Sequence, residues 1–126
     1  MEFSSQRLVD VFVAAPVGQI DHPNAELLRQ ALAPTIDAAI AAKASLVLDF
    51  SQVSYISSMG LRVLLLAAKQ LRAVNAKVAI AALQPVVTEI FAIARFNHIL
   101  EIYPDVRTAL GQLSAPALAA YDAAAT

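Results

Sequence analysis

Hydrophobic and polar positions first alternate along this chain and then recur at helical spacing. Between Leu8 and Ala14, Val9, Val11 and Val13 fall on one face of a period-two pattern, which predicts a short strand. Pro16-Val17-Gly18 interrupts that pattern as a turn would, and Val17 to Ile20 is predicted as a second short strand. Asp21 or Asn24 can supply an N-cap, Pro23 suits a first helical turn, and Leu28, Leu32, Ile36 and Ile40 recur at every fourth position. That spacing predicts an amphipathic helix of about 18 residues. Pro34 lies inside it. The backbone bond a proline removes costs on the order of 3 kcal/mol, so a kink or break is expected between Gln30 and Pro34.

Ser45 to Phe50 is a short apolar run between polar flanks, the form taken by a strand buried on both faces of a parallel sheet. Ser51, Ser54 and Ser57 suit a turn after it, and Ser58 opens a segment of helical composition through Val74, with Asn75 able to end it in the left-handed conformation. Lys77 to Ala82 is the next predicted strand. Pro85 starts a helix with Val86, Ile90 and Ile93 on one side, Asn97 ends it, and Ile99 to Tyr103 is extended. Asp105 caps a last helix reaching Leu113. Residues 114–126 form an alanine-rich tail, helical or disordered. Strand and helix in turn point to an α/β fold, with helices over a mainly parallel sheet.

Composition narrows the function. The 126 residues suit one domain, and of the 59% apolar residues 27 are alanines, which favour helix and bury little area. No apolar run approaches the roughly 18 residues of a spanning helix, and the N-terminus lacks the layout of a secretory signal, so no membrane role is expected and a cytoplasmic location is. A net charge of −1 without blocks of like charge gives nothing to hold nucleic acid. There is no cysteine, and His22 and His98 have no second ligand at helical spacing, so no metal site or other cofactor is expected. Gly18, Gly60 and Gly111 form no phosphate-cradling loop, and Asp21 and Asp49 sit where helix starts and strand ends use them. No catalytic residue is assigned, and the chain is expected not to be an enzyme.

Gly18-Gln19-Ile20-Asp21, Leu46-Val47-Leu48-Asp49-Phe50 and Val53 to Leu65, continued by Lys77 to Leu83, Pro85-Val86 and Ile99 to Leu110, together resemble the STAS family of sulfate transporters and anti-sigma-factor antagonists. The resemblance implies a STAS fold over residues 1–113: a mainly parallel sheet of about four to five strands, an antiparallel N-terminal strand and about four covering helices. It also implies an antagonist that binds an anti-sigma factor, a serine kinase of the histidine-kinase-like ATPase fold, and so frees a sigma factor. A metal-dependent serine phosphatase would be a second partner. The family's phosphorylated serine falls on Ser58, with Ser57 as second candidate. In the common motif Asp-Ser-Ser/Thr-Gly-Leu, Ser57 replaces the aspartate and Met59 the second hydroxyl residue. The implied partner surface comprises Asp21, Ser54, Tyr55, Ile56, Ser57, Ser58, Met59, Gly60, Leu61 and Arg62.

The residues add their own chemistry. Ser58 is expected at the helix N-cap, Gly60 is expected to let another backbone approach closely, and Met59 offers an adaptable apolar contact. Leu61, Val63, Leu64, Leu65 and Leu66 place apolar groups almost all round the helix, more than one core-facing stripe requires. The rival reading is a STAS scaffold or ligand-binding module in a signalling or transport assembly, with no phosphate switch.

Overall fold

The N-terminal residues EFSSQRL are nearly all polar, yet they form strand β1 (Glu2–Leu8), because Val9 and Asp10 turn the chain back onto β2 (Val11–Ile20). The two pair antiparallel from Glu2 opposite Val17 to Leu8 opposite Val11. β1 is the edge strand and is exposed on both faces except at Phe3 and Leu8, which pack on opposite core layers, so it needs no apolar alternation of its own. The computed structural model describes residues 1–124. It continues with α1 (His22–Ala42), β3 (Ser45–Asp49), β4 (Val53–Ile56), α2 (Ser58–Arg72), β5 (Val78–Ala81), α3 (Pro85–Ile93), a 3₁₀ turn (Phe96–His98), β6 (Glu101–Tyr103), α4 (Val106–Leu113) and α5 (Ala115–Ala124). Of the alanine-rich tail, residues 125–126 lie outside the described part.

The sheet runs β1-β2-β3-β5-β6, with β4 paired to β2 alone, and every pairing except β1 with β2 is parallel. Strand β2 serves two neighbours in succession. Residues Val11 to Ala14 pair with β3, and Gly18 to Ile20 pair with β4. Pro16, which has no N–H to give, falls in the gap between them. The expected turn at Pro16-Val17-Gly18 is thus a change of partner within one strand. Its irregularity is a bulge between Gly18 and Gln19, where Gly18 has a φ of 105° that only glycine adopts without strain.

Side chains alternate across the central strands as the pleat requires. Leu46 and Leu48 of β3 and Val78 and Ile80 of β5 join the core beneath α1, α2 and α3. Val47, Ala79 and Ala81 face the opposite way, under Val106, Ala109 and Leu110 of α4 and Ala117 of α5. The α1 helix is unbroken across Pro34. The proline lies on the exposed side, where the Gln30 carbonyl it leaves free is within reach of water, while Leu28, Leu32, Ile36 and Ala39 stay buried. On α3 the core-facing residues are Val87 and Phe91, and the side bearing Val86 and Ile93 is exposed. Asn75 has a φ of 61° and reverses the chain after α2 as expected.

The start of α2 is fixed by packing. Ile20 and Ile56 end β2 and β4 side by side, both essentially fully buried. A Cβ built on Gly60 would lie 2.7 Å from Ile56 Cγ1 and 2.8 Å from Ile20 Cγ2. Only glycine lets the first turn of α2 sit on these isoleucines. The close approach expected at Gly60 is made within the domain, and by the side chains of Ile20 and Ile56, where another backbone was expected. The Ser57 amide donates to the Ile20 carbonyl at 2.8 Å, and the Ser57 hydroxyl accepts from the Gly60 amide at 3.2 Å. The cap is Ser57, one residue earlier than expected, and Ser58 is the first helical residue.

These contacts make two predictions. Ser57→Ala costs about 1 kcal/mol of stability through the lost cap, Ser57→Asp keeps most of it, and Ser58→Ala stays within about 0.5 kcal/mol of wild type. Gly60→Ala costs about 1 to 2 kcal/mol, because the clash exceeds the roughly 1 kcal/mol of helix propensity that alanine brings. Urea denaturation of the four variants measures this ordering, and an equal loss from Ser57→Ala and Ser58→Ala contradicts the cap assignment. On β6, burial and a hydrogen bond donated to Glu101 raise the Tyr103 phenol to about 12. A raised phenol pKa stabilises the fold fully below about pH 10 and is lost as pH climbs towards 12. The difference in tyrosinate absorbance between wild type and Tyr103→Phe is expected to titrate near 12, and Glu101→Gln is expected to lower that midpoint.

Candidate functional site

Two helices begin side by side at the carboxyl ends of β2 and β4. Asp21 caps α1 by accepting from the Asn24 amide at 3.0 Å, and Ser57 caps α2 in the same manner one strand away. Asp21 is thereby committed to the fold and lies next to the predicted site. With the cap provided by Ser57, the Ser58 hydroxyl is exposed and makes no hydrogen bond among the described residues. Ser57 stands at the aspartate position of the common motif and does what an aspartate does at a helix start, since both side chains accept from a free amide.

The other predicted residues divide by exposure. Ser54 and Arg62 are exposed, Tyr55 is 42% exposed and Met59 40%. Ile56, Gly60 and Leu61 are buried and support the surface from beneath. Around Ser58 the structure brings together Tyr55 and Ile56 of β4, Leu61 of α2, and Ile90, Ile93 and Ala94 at the end of α3, as the lining of a shallow groove of about 230 Å³. That volume falls below the roughly 300 Å³ at which small-molecule sites begin, so the groove suits a partner's side chain better than a metabolite.

The contribution of α3 is absent from the residues singled out in the sequence. Ile93 is 85% exposed, and Val86 on the same side 54%, an apolar display that core packing does not explain. The available signal was apolar character on both sides of a nine-residue helix, Val87 and Phe91 on one and Val86, Ile90 and Ile93 on the other. The apolar surplus on α2 likewise resolves into two parts. Leu61 and Leu64 face the core, while Met59 and the 49%-exposed Leu66 face outward.

The electrostatics of α2 are one-sided. Its charged residues are Arg62, Lys69 and Arg72, with no Asp or Glu from Ser58 to Arg72. Lys69 and Arg72 lie in the last turn, where the helix dipole favours cations. Nothing acidic in the first turn opposes an added negative charge. Among the described residues, no group of three His, Asp or Glu side chains is arranged to hold a metal ion, and no helix is long and apolar enough to cross a membrane.

Comparison with known proteins agrees with this geometry. The STAS domain family model matches residues 3–109. The chain is 38% identical over 104 residues to BtrV of Bordetella bronchiseptica, assigned as an anti-sigma factor antagonist, covering 82% of this chain and 84% of that protein. A Thermotoga maritima structure, also assigned as an anti-sigma factor antagonist, superposes with a TM-score of 0.79 at 19% identity, covering 88% of this chain and 93% of that one. The Bacillus cell fate determinant SpoIIAA in its phosphorylated form superposes with a TM-score of 0.65 at 19% identity, over 90% of this chain and all of that one. The expected fold is present, with six strands and five α-helices among the described residues. By its family match and its relatives, this chain belongs to the STAS-domain family of anti-sigma-factor antagonists.

Proposed function

We propose that this protein binds a serine-kinase anti-sigma factor in the cytoplasm, frees a sigma factor by doing so, and loses that binding when Ser58 is phosphorylated. The observation that carries this reading is the Ser58 hydroxyl: exposed, without a hydrogen bond among the described residues, and on the rim of an apolar groove. A kinase of the histidine-kinase-like ATPase fold would transfer the γ-phosphoryl group of ATP to Ser58 Oγ, releasing the hydroxyl proton and leaving ADP. A metal-dependent serine phosphatase would hydrolyse the ester and restore the hydroxyl. The chain supplies the acceptor serine and the docking surface, and no catalysis of its own.

The physics of the switch lies at the contact. A phosphate adds about −1.5 to −2 charges at pH 7, and covering it with a partner surface requires desolvation that an apolar groove cannot offset. The cap of α2 belongs to Ser57, so the modification leaves the helix start intact. That a protein of this fold has been solved in a phosphorylated form supports the same reading.

The test is phosphoryl transfer with the histidine-kinase-fold ATPases of the source organism, each incubated with this chain, ATP and magnesium. One of them is expected to add a single phosphoryl group, located at Ser58 by mass spectrometry and absent from Ser58→Ala. Ser58→Asp is expected to weaken binding to that kinase about tenfold or more, and Ser58→Ala to retain it. If kinases active on other substrates leave this chain unlabelled, or if both variants bind equally, the non-phosphorylated scaffold is the function that remains.

A further inference from the structure

Arg62 stands four residues after Ser58 on α2, and both are exposed. Residues four apart on a helix share a face, with about 5 to 6 Å between their Cβ atoms. Helical side chains lean towards the N-terminus, so the guanidinium of Arg62 can reach over the turn that carries Ser58. An acid placed four residues before a base is also the more favourable order for such a pair. The Arg62 side chain has no commitment elsewhere among the described residues: the salt bridges join Arg29 to Glu26, Lys77 to Glu101 and Arg107 to Asp122. α1, which packs against α2, carries Asp21 at its cap, held by the Asn24 amide, then His22, Glu26 paired with Arg29, and Asp37, with Arg29 and Asp37 bordering Val63 and Leu66 of α2; α3 carries Glu89, with Arg95 just beyond it.

We infer that Arg62 is a shared cation, meeting a carboxylate of the partner in the unmodified protein and captured by the phosphate once Ser58 is modified. The wholly basic charge of α2 favours a partner whose contacting surface is acidic. The planar guanidinium fork suits both occupants, because carboxylate and phosphate oxygens each accept two parallel N–H bonds. Phosphorylation then acts twice, adding a charge the groove cannot cover and withdrawing the cation the partner uses. This use of Arg62 rests on the phosphate switch proposed above, but the capture itself is tested without any kinase.

Phosphoserine is incorporated at position 58 during synthesis, and its second ionisation is followed by ³¹P NMR. Arg62→Gln is expected to raise the proton affinity of the phosphate about two- to fivefold, Arg62→Lys to restore most of the difference, and Arg95→Gln to leave it unchanged. Identical titrations for wild type and Arg62→Gln, or a shift from Arg95→Gln alone, overturn the capture. With the kinase that labels Ser58, Arg62→Gln is expected to weaken binding of the unmodified protein about tenfold, but less than about twofold in the Ser58→Asp background. Equal losses in the two backgrounds overturn the sharing. If no kinase labels Ser58, the switch is refuted while the NMR titration still decides the capture.

Discussion

The contact of Gly60 with Ile20 and Ile56 is the constraint on which the rest of this surface depends. Two parallel strands end in buried isoleucines, and the following helix can lie on both only if its third residue has no side chain. That contact fixes the height and direction of the α2 start. It makes Ser57 the residue that turns from strand to helix, and so makes Ser58 the first residue free of structural duty. A methyl group at position 60 would alter every one of these relations, although it touches none of the exposed residues.

The same region shows how one sheet provides both stability and a surface. β3 and β5 are buried on both faces, between two layers of helices. β4 lies outside that sandwich, with one partner strand and with Ser54 and Tyr55 exposed. The candidate site lies on this side strand, on the start of the helix that follows it and on the end of α3, where Tyr55, Met59 and Ile93 are displayed above the buried Ile56, Gly60 and Leu61. On the opposite face, the Ser114 hydroxyl donates to Asp10, tying the turn between α4 and α5 to the β1–β2 hairpin and securing the second layer.

Much of this was legible in the sequence, and the misses share a cause. β3, β5, α1 and α2 were visible because their burial imposes a pattern on their own residues. β1 was not, since a mostly exposed edge strand is held by its neighbour, and EFSSQRL carries little pattern of its own. The short β4 was hidden among serines that read equally well as a turn. At Pro16 the interruption was seen but its meaning was not, because a local signal cannot separate a turn from a change of partner. The cap was misplaced by one residue because Ser57 and Ser58 are equally good cap formers. Only the bond from the Ser57 amide to Ile20, on a strand more than thirty residues earlier, decides between them. Ile93 was missed as surface because α3 is apolar on both sides, and periodicity alone does not tell which side the core takes.

The division of labour between adjacent serines has a consequence in time. Had the hydroxyl proposed as the phosphate acceptor also been the cap, each change of state would have included breaking and rebuilding a helix start. Here the cap bond belongs to Ser57 and the core beneath it is shut, so a group can be added to Ser58 and removed again with no refolding event in the cycle. Under the proposed switch, the speed of the transition would be governed by the turnover of the modifying enzymes, and the domain would pass through many rounds without exposing its interior.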